Sequence, residues 1–141
     1  MIRFSRREDY AIILINKLVE NYKVRLVPLS EIAKEYRISI LFLRNLAGEL
    51  RHAGIVKAVE GKSGGYFLGK NPKVLRVGEV LSLFSKKPML ECCHIGALQN
   101  GKCPKESFCQ TGFIWRRLNK DFLEKIYKLN FLEFINYRSQ N

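Results

Sequence analysis

The stretch from Val27 to Lys70 constrains the fold more than any other part of the chain. It begins VPLSEIAKEYRIS. There Ser30 is placed to cap a short helix bearing Ile32 and Ala33, Arg37 and Ile38 make a tight turn, and Ser39 is placed to cap a second helix over residues 40–53. Leu43, Leu46, Ala47 and Leu50 recur at helical spacing and mark its buried face. Two short helices joined by a tight turn form a helix-turn-helix pattern, which occurs both in DNA readers and in helical hairpins with no DNA role.

The segment that follows, GIVKAVEGKSGGYFLGK, reads as two strands. Ile55, Val56, Ala58 and Val59 belong to the first and Tyr66, Phe67 and Leu68 to the second. Gly61, Gly64 and Gly65 permit the turn between them, with Lys62 and Ser63 at its tip. Glycines alone need do no more than close a hairpin. A basic hairpin directly after a helix-turn-helix is a wing, able to set Lys62 near phosphates or in a minor groove. Ser39, Arg44 and Asn45 lie toward the start of the second helix, away from Leu43 and Leu46. Arg44 is suited to paired hydrogen bonds with guanine, and Asn45 to adenine or a phosphate. With Arg51, Lys62 and Ser63 they form the candidate DNA-binding set.

Charge agrees with that reading. The net charge of +12 is uneven: residues 23–76 carry eleven Lys/Arg against four acids, whereas residues 1–22 carry four against three and residues 77–141 ten against six. The excess centres where a polyanion would dock, although a solvated basic surface has the same composition. No Ser/His/Asp set, phosphate loop or paired carboxylates supports catalysis, and His52 and His94 are the only histidines. The expectation is a protein that is not an enzyme.

The flanks add one helix before this stretch and two after it. Ser5 and Glu8 have capping-box spacing, which predicts a helix over residues 6–21 with Asp9 in its first turn, a favourable place for a negative charge. VGEVLSLF predicts another over residues 77–85. In GFIWRRLNKDFLEKIYKLNFLEFI, Trp115, Leu118, Phe122, Ile126 and Leu129 recur at spacings of three and four, as in one long amphipathic helix. A two-fold dimer seam is the preferred use of that stripe, with packing inside the chain as the alternative. The fold class expected is mainly α with a small β-hairpin: a winged helix-turn-helix over residues 1–85, a cysteine-bearing loop over 86–112, and a C-terminal dimerisation helix and tail over 113–141.

All four cysteines fall in LECCHIGALQNGKCPKESFCQTGFIW. No apolar run approaches the roughly 18 residues of a membrane span, and the N-terminus lacks a small-residue cleavage site, so the expectation is a cytoplasmic protein with no membrane partner. In that compartment clustered thiols suggest metal or redox chemistry rather than a disulfide framework. Cys92 and Cys93 are adjacent, Cys103 and Cys109 follow, and no C-x-x-C pair exists, so zinc-ribbon and thioredoxin patterns are absent. Thiolates from one glycine-containing loop suit an iron–sulfur cluster, with zinc the rival metal and merely clustered, reduced cysteines the plain alternative.

On these residues the chain resembles the Rrf2-type winged-helix transcription regulators, in particular their IscR- and NsrR-like iron–sulfur branches. The resemblance is carried by SRREDYAI, LSEIAKEYRIS, LRNLAGELRHAGIVKAVEGKSGGYFLGK, VGEVL and the cysteines followed by FIW, and it spans nearly the whole chain. It implies a homodimer on a palindromic double-stranded DNA operator, acting as a repressor that senses nitric oxide, redox state or iron–sulfur supply through a 2Fe–2S or 4Fe–4S cluster. Cys103 and Cys109 match the second and third family cysteines, and Cys93 or Cys92 the first. The IscR-like histidine ligand is replaced by Gly112, while Asp9 matches a carboxylate that closes the NsrR-like site from the other subunit. Glu8 and His94 are further candidates. Arg44 stands where IscR-type readers carry glutamate, so their DNA preference is not implied. A zinc-binding or thiol-switch regulator without a cluster is the alternative function.

Overall fold

The computed structural model describes residues 5–85 and 110–137. The order is α1 (Arg6–Glu20), α2 (Leu29–Tyr36), α3 (Ile40–His52), β1 (Val56–Val59), β2 (Gly65–Leu68), α4 (Val77–Phe84), α5 (Gln110–Lys128) and α6 (Phe131–Asn136).

Local chemistry explains most of the boundaries. Ser5 and Glu8 make the expected capping box: the Glu8 N–H donates to the Ser5 hydroxyl, and the Ser5 N–H to the Glu8 carboxylate. Helix α2 ends on Arg37 in the left-handed region (φ 54°), where the Ile38 N–H donates to the Ala33 carbonyl at 3.0 Å. That reversal drops Ile38 into the core and points the chain at Ser39, whose hydroxyl accepts from the Phe42 N–H and opens α3. Ser30 does not act as the cap expected of it. Pro28 precedes α2 without a side-chain cap bond, and Ser30 lies one residue inside the helix, exposed. Proline tolerates this place because its missing N–H would have no helical partner there.

The hairpin pairs antiparallel, Val56 with Leu68 through Val59 with Gly65. Gly61 turns the tip at φ 111°. Gly64 is needed for space, since a Cβ there would lie 2.2 Å from the Val59 carbonyl oxygen. Val27 adds a single antiparallel bridge to Tyr66, with bonds of 2.9 and 2.8 Å, which ties the α1–α2 connection to the wing.

The core is assembled from one face of each element: Leu14, Ile15 and Leu18 of α1, Ile32 of α2, Leu43 and Leu50 of α3, Val56, Leu75, Val80, Leu81 and Phe131. The C-terminal stripe departs from the single long helix expected. The chain breaks between α5 and α6, where Asn130 and Glu133 form a reciprocal capping box. At the break Val77 N–H donates to the Leu129 carbonyl at 2.9 Å and Phe131 N–H to the Leu75 carbonyl at 3.0 Å. These bonds stitch the break to the start of α4, and Phe131 becomes fully buried. The apolar stripe therefore serves two surfaces. Phe122, Ile126 and Leu129 pack on the core, whereas Leu118 stays exposed, as does Ile114 beside the stripe; the Trp115 side chain lies outside the described residues. Gly78 lets α4 approach α5 closely: a Cβ there would come within 2.5 Å of the Tyr127 ring.

Candidate nucleic-acid interface

Helix α3 has a dry face and a wet one. Leu43, Leu46, Ala47 and Leu50 are buried, while Ile40, Leu41, Arg44, Asn45, Arg51 and His52 are exposed. Ser39, Arg44 and Asn45 thus lie at the outward start of the helix, as the sequence pattern implied, and Arg51 faces solvent near its end. The wing follows at once: the Ile55 N–H donates to the Leu50 carbonyl at 3.0 Å, so β1 leaves directly from the foot of α3. Lys57, Lys62 and Ser63 are exposed on it. An exposed helix start carrying a guanidinium and an amide, beside a lysine-bearing hairpin, is suited to base edges and phosphates respectively.

Three tertiary ties hold this face, and none was legible in the sequence. Lys17 of α1 pairs with Glu35 of α2 at 2.6 Å, and this hydrogen bond, opposed by burial and aided by the nearby carboxylates, holds the Lys17 ammonium above its ordinary pKa. Arg25 pairs with Glu31 at the start of α2, and that bond holds the Glu31 carboxyl below its ordinary value. Arg7 pairs with Glu49 of α3, and its guanidinium also lies 5.5 Å from the centre of the Phe84 ring at the end of α4. Arg7, Phe42, Asn45, Leu46, Gly48, Glu49 and His52 line an open cleft of about 570 Å³ between the start of α1 and α3.

The same end of α1 carries the candidate carboxylates. Glu8 is buried. Burial pushes its carboxyl up, but hydrogen bonds from the Ser5 backbone N–H and from the Ser5 and Ser85 side chains outweigh this and hold it below the usual carboxylate value. Glu8 is thereby engaged as a structural cap. Asp9 is exposed one residue further on. Phe84 and Ser85, which Arg7 and Glu8 touch, are the last described residues before the cysteine-bearing segment. Cys92, Cys93, His94, Cys103 and Cys109 lie outside the described residues. Among the described residues no three of His, Cys, Asp and Glu converge, and none of their helices is long and apolar enough to cross a membrane.

A winged helix-turn-helix with an exposed basic face on α3 defines a class, that of DNA-binding regulators. The comparisons give the family. Residues 4–137 match the Rrf2 family, described as iron-dependent transcriptional regulators, and the chain belongs to it. Among curated relatives it is similar to the HTH-type transcriptional regulator IscR of Klebsiella pneumoniae, 29% identical over 135 residues, which covers 96% of this chain and 80% of that one. Its fold is similar to that of CymR, the global cysteine regulator of B. subtilis (TM-score 0.77, 22% identity, covering 97% of this chain and 98% of that one). It is also similar to that of T. potens IscR (TM-score 0.72, 23% identity, covering 99% and 91%).

Proposed function

We propose that this chain is a homodimeric transcriptional repressor that reads an operator with α3 and the wing and is switched by an iron–sulfur cluster. The observation that carries the DNA half is the outward face of α3, with Ser39, Arg44 and Asn45 exposed over a fully buried apolar face and Lys62 on the adjoining hairpin. Cys93, Cys103 and Cys109, with Cys92 in reserve, would supply thiolates, which suit iron–sulfur clusters; the cluster would supply chemistry toward nitric oxide, oxygen or iron supply. Asp9, exposed in the first turn of α1, is the proposed fourth ligand. Its neighbours Arg7 and Glu8 touch both the reader helix and the root of the cysteine segment, so a ligand bound at Asp9 would act on the element that positions α3.

Two measurements test this reading. Protein purified without oxygen should absorb in the visible range and contain iron and acid-labile sulfide, and Cys103→Ala and Cys109→Ala should lose both. Asp9→Ala should leave a labile cluster and uncouple DNA affinity from cluster state. A colourless protein holding stoichiometric zinc, or one whose DNA affinity follows only thiol oxidation, would replace the cluster with a zinc or thiol switch.

A further inference from the structure

The open face of α3 carries two features that its own fold does not explain. Leu41 is 64% exposed and Ile40 39%, at the very turn where a DNA reader presents side chains to bases. Gly48 is the second. A Cβ built there meets nothing within 4 Å, and its φ is not positive, so neither packing nor backbone conformation calls for glycine. In a helix interior glycine is less favourable than alanine. Leu41, Arg44, Asn45 and Gly48 are spaced i, i+3, i+4 and i+7, which places them on one strip. An aliphatic side chain in water at one end, and a shallow place at the other, fit a surface completed from outside the chain. The surrounding charge says by what: Arg37, Arg44, Arg51, Lys57 and Lys62 are all exposed in the same segment, which suits a polyanion.

In the major groove one base alone offers an apolar group, the thymine 5-methyl. We infer that Leu41 is a specificity-determining residue that packs on the methyl of a thymine one or two base pairs from the guanine read by Arg44. The distance follows from geometry. Side chains three apart on a helix stand roughly 5–6 Å apart, and bases on one strand step by about 3.4 Å. The inference rests on the proposed DNA-reading role of α3.

The test removes the methyl and nothing else. An operator is selected from a random duplex pool with the full chain purified without oxygen, and each thymine is replaced singly by deoxyuridine, which keeps the base pair and the O4 acceptor. One thymine in each half-site, within two base pairs of the guanine whose recognition Arg44→Ala abolishes, should weaken binding about fourfold on this replacement, as expected for losing one buried methyl-sized group. In Leu41→Ala the thymine and uracil operators should bind alike, with an unchanged melting temperature, because the side chain is exposed. Persisting uracil sensitivity in Leu41→Ala, or its loss in Ile40→Ala instead, would overturn the assignment. So would Arg44-dependent binding with no uracil effect at any position, which leaves the reader role standing. Failure to select any operator, or binding indifferent to Arg44→Ala, would sink the reader role itself.

Discussion

Helices α3 and α5 are both amphipathic, yet their apolar faces end differently. Every apolar position on the inner face of α3 is covered by the chain itself: Leu43, Ala47 and Leu50 are wholly buried and Leu46 is 1% exposed. Along α5 coverage is partial. Phe122, Leu123 and Ile126 pack on the core, but Leu118 is 49% exposed and Ile114 53%. Hydrophobic spacing names a face; it does not name the body that covers it. For α3 that body is the rest of the domain. For the exposed half of α5 the proposed body is a second copy of the chain.

That contrast can be broken most directly by cutting the two faces. Leu50→Ala opens a cavity in a fully packed site and should lower unfolding free energy by about 2–5 kcal/mol, measured by urea titration. Leu118→Asp should leave the melting temperature of the monomeric fold nearly unchanged but give monomers by light scattering, because a carboxylate buried without a partner opposes assembly. If Leu118→Asp unfolds the protein, or wild-type protein is already monomeric at micromolar concentration, the outward half of α5 is not a dimer seam. The outer face of α3 is sharpened by Arg44→Ala, expected to lose about 1–3 kcal/mol at the preferred operator and to relax selectivity at one position. Lys62→Ala should instead weaken all sequences alike and reduce the salt slope by about one. Gly48→Ala should stabilise the fold by about 0.5–1 kcal/mol in thermal unfolding while weakening operator binding. A variant that is more stable and binds unchanged would remove Gly48 from the interface.

The smallest expected effect concerns the join between the wing and α4. Lys70 pairs with Glu79 at 2.6 Å, and this bond, opposed by burial and supported by the Arg76 N–H, holds the Glu79 carboxyl below its ordinary 4.5. A carboxyl lowered in the folded state stabilises above its unfolded pKa, and that contribution is lost as pH falls through the lowered folded value. Both side chains are more than a third exposed, so the contribution is about 0.5 kcal/mol or less. Wild type and Lys70→Ala should therefore differ slightly near neutral pH and converge in urea titrations as the pH falls below 4.5.

Much of the architecture was legible in the chain because its causes are local. The Ser5–Glu8 box, the Arg37 reversal, the Ser39 cap and the glycine tip of the wing close within a few residues, where sequence alone supplies both partners. The same holds for the outward placement of Ser39, Arg44, Asn45 and Lys62, which follows from helical and strand periodicity. The α5–α6 break also has a local signature, Asn130 three residues before Glu133, but the apolar spacing runs unbroken across it. What decides there is the pair of backbone bonds to Leu75 and Val77, more than fifty residues away, which carry Phe131 into the core. The Ser30 cap was misplaced for a related reason: the Val27 bridge to Tyr66 fixes where the chain enters α2.

Most helices, both strands, the basic outer face of α3 and the gathering of all four thiols in one segment could be read from the chain, because short-range hydrogen bonding, periodicity and composition are properties of neighbours. Packing had to close before Arg7 could join Glu49 to Phe84, Lys17 clamp α2, Gly78 admit Tyr127, and Gly48 be left with nothing within 4 Å of where a Cβ would stand. Those contacts depend on which faces meet when the helices pack. No spacing along the chain encodes the meeting of two residues forty or fifty positions apart until the core between them has closed.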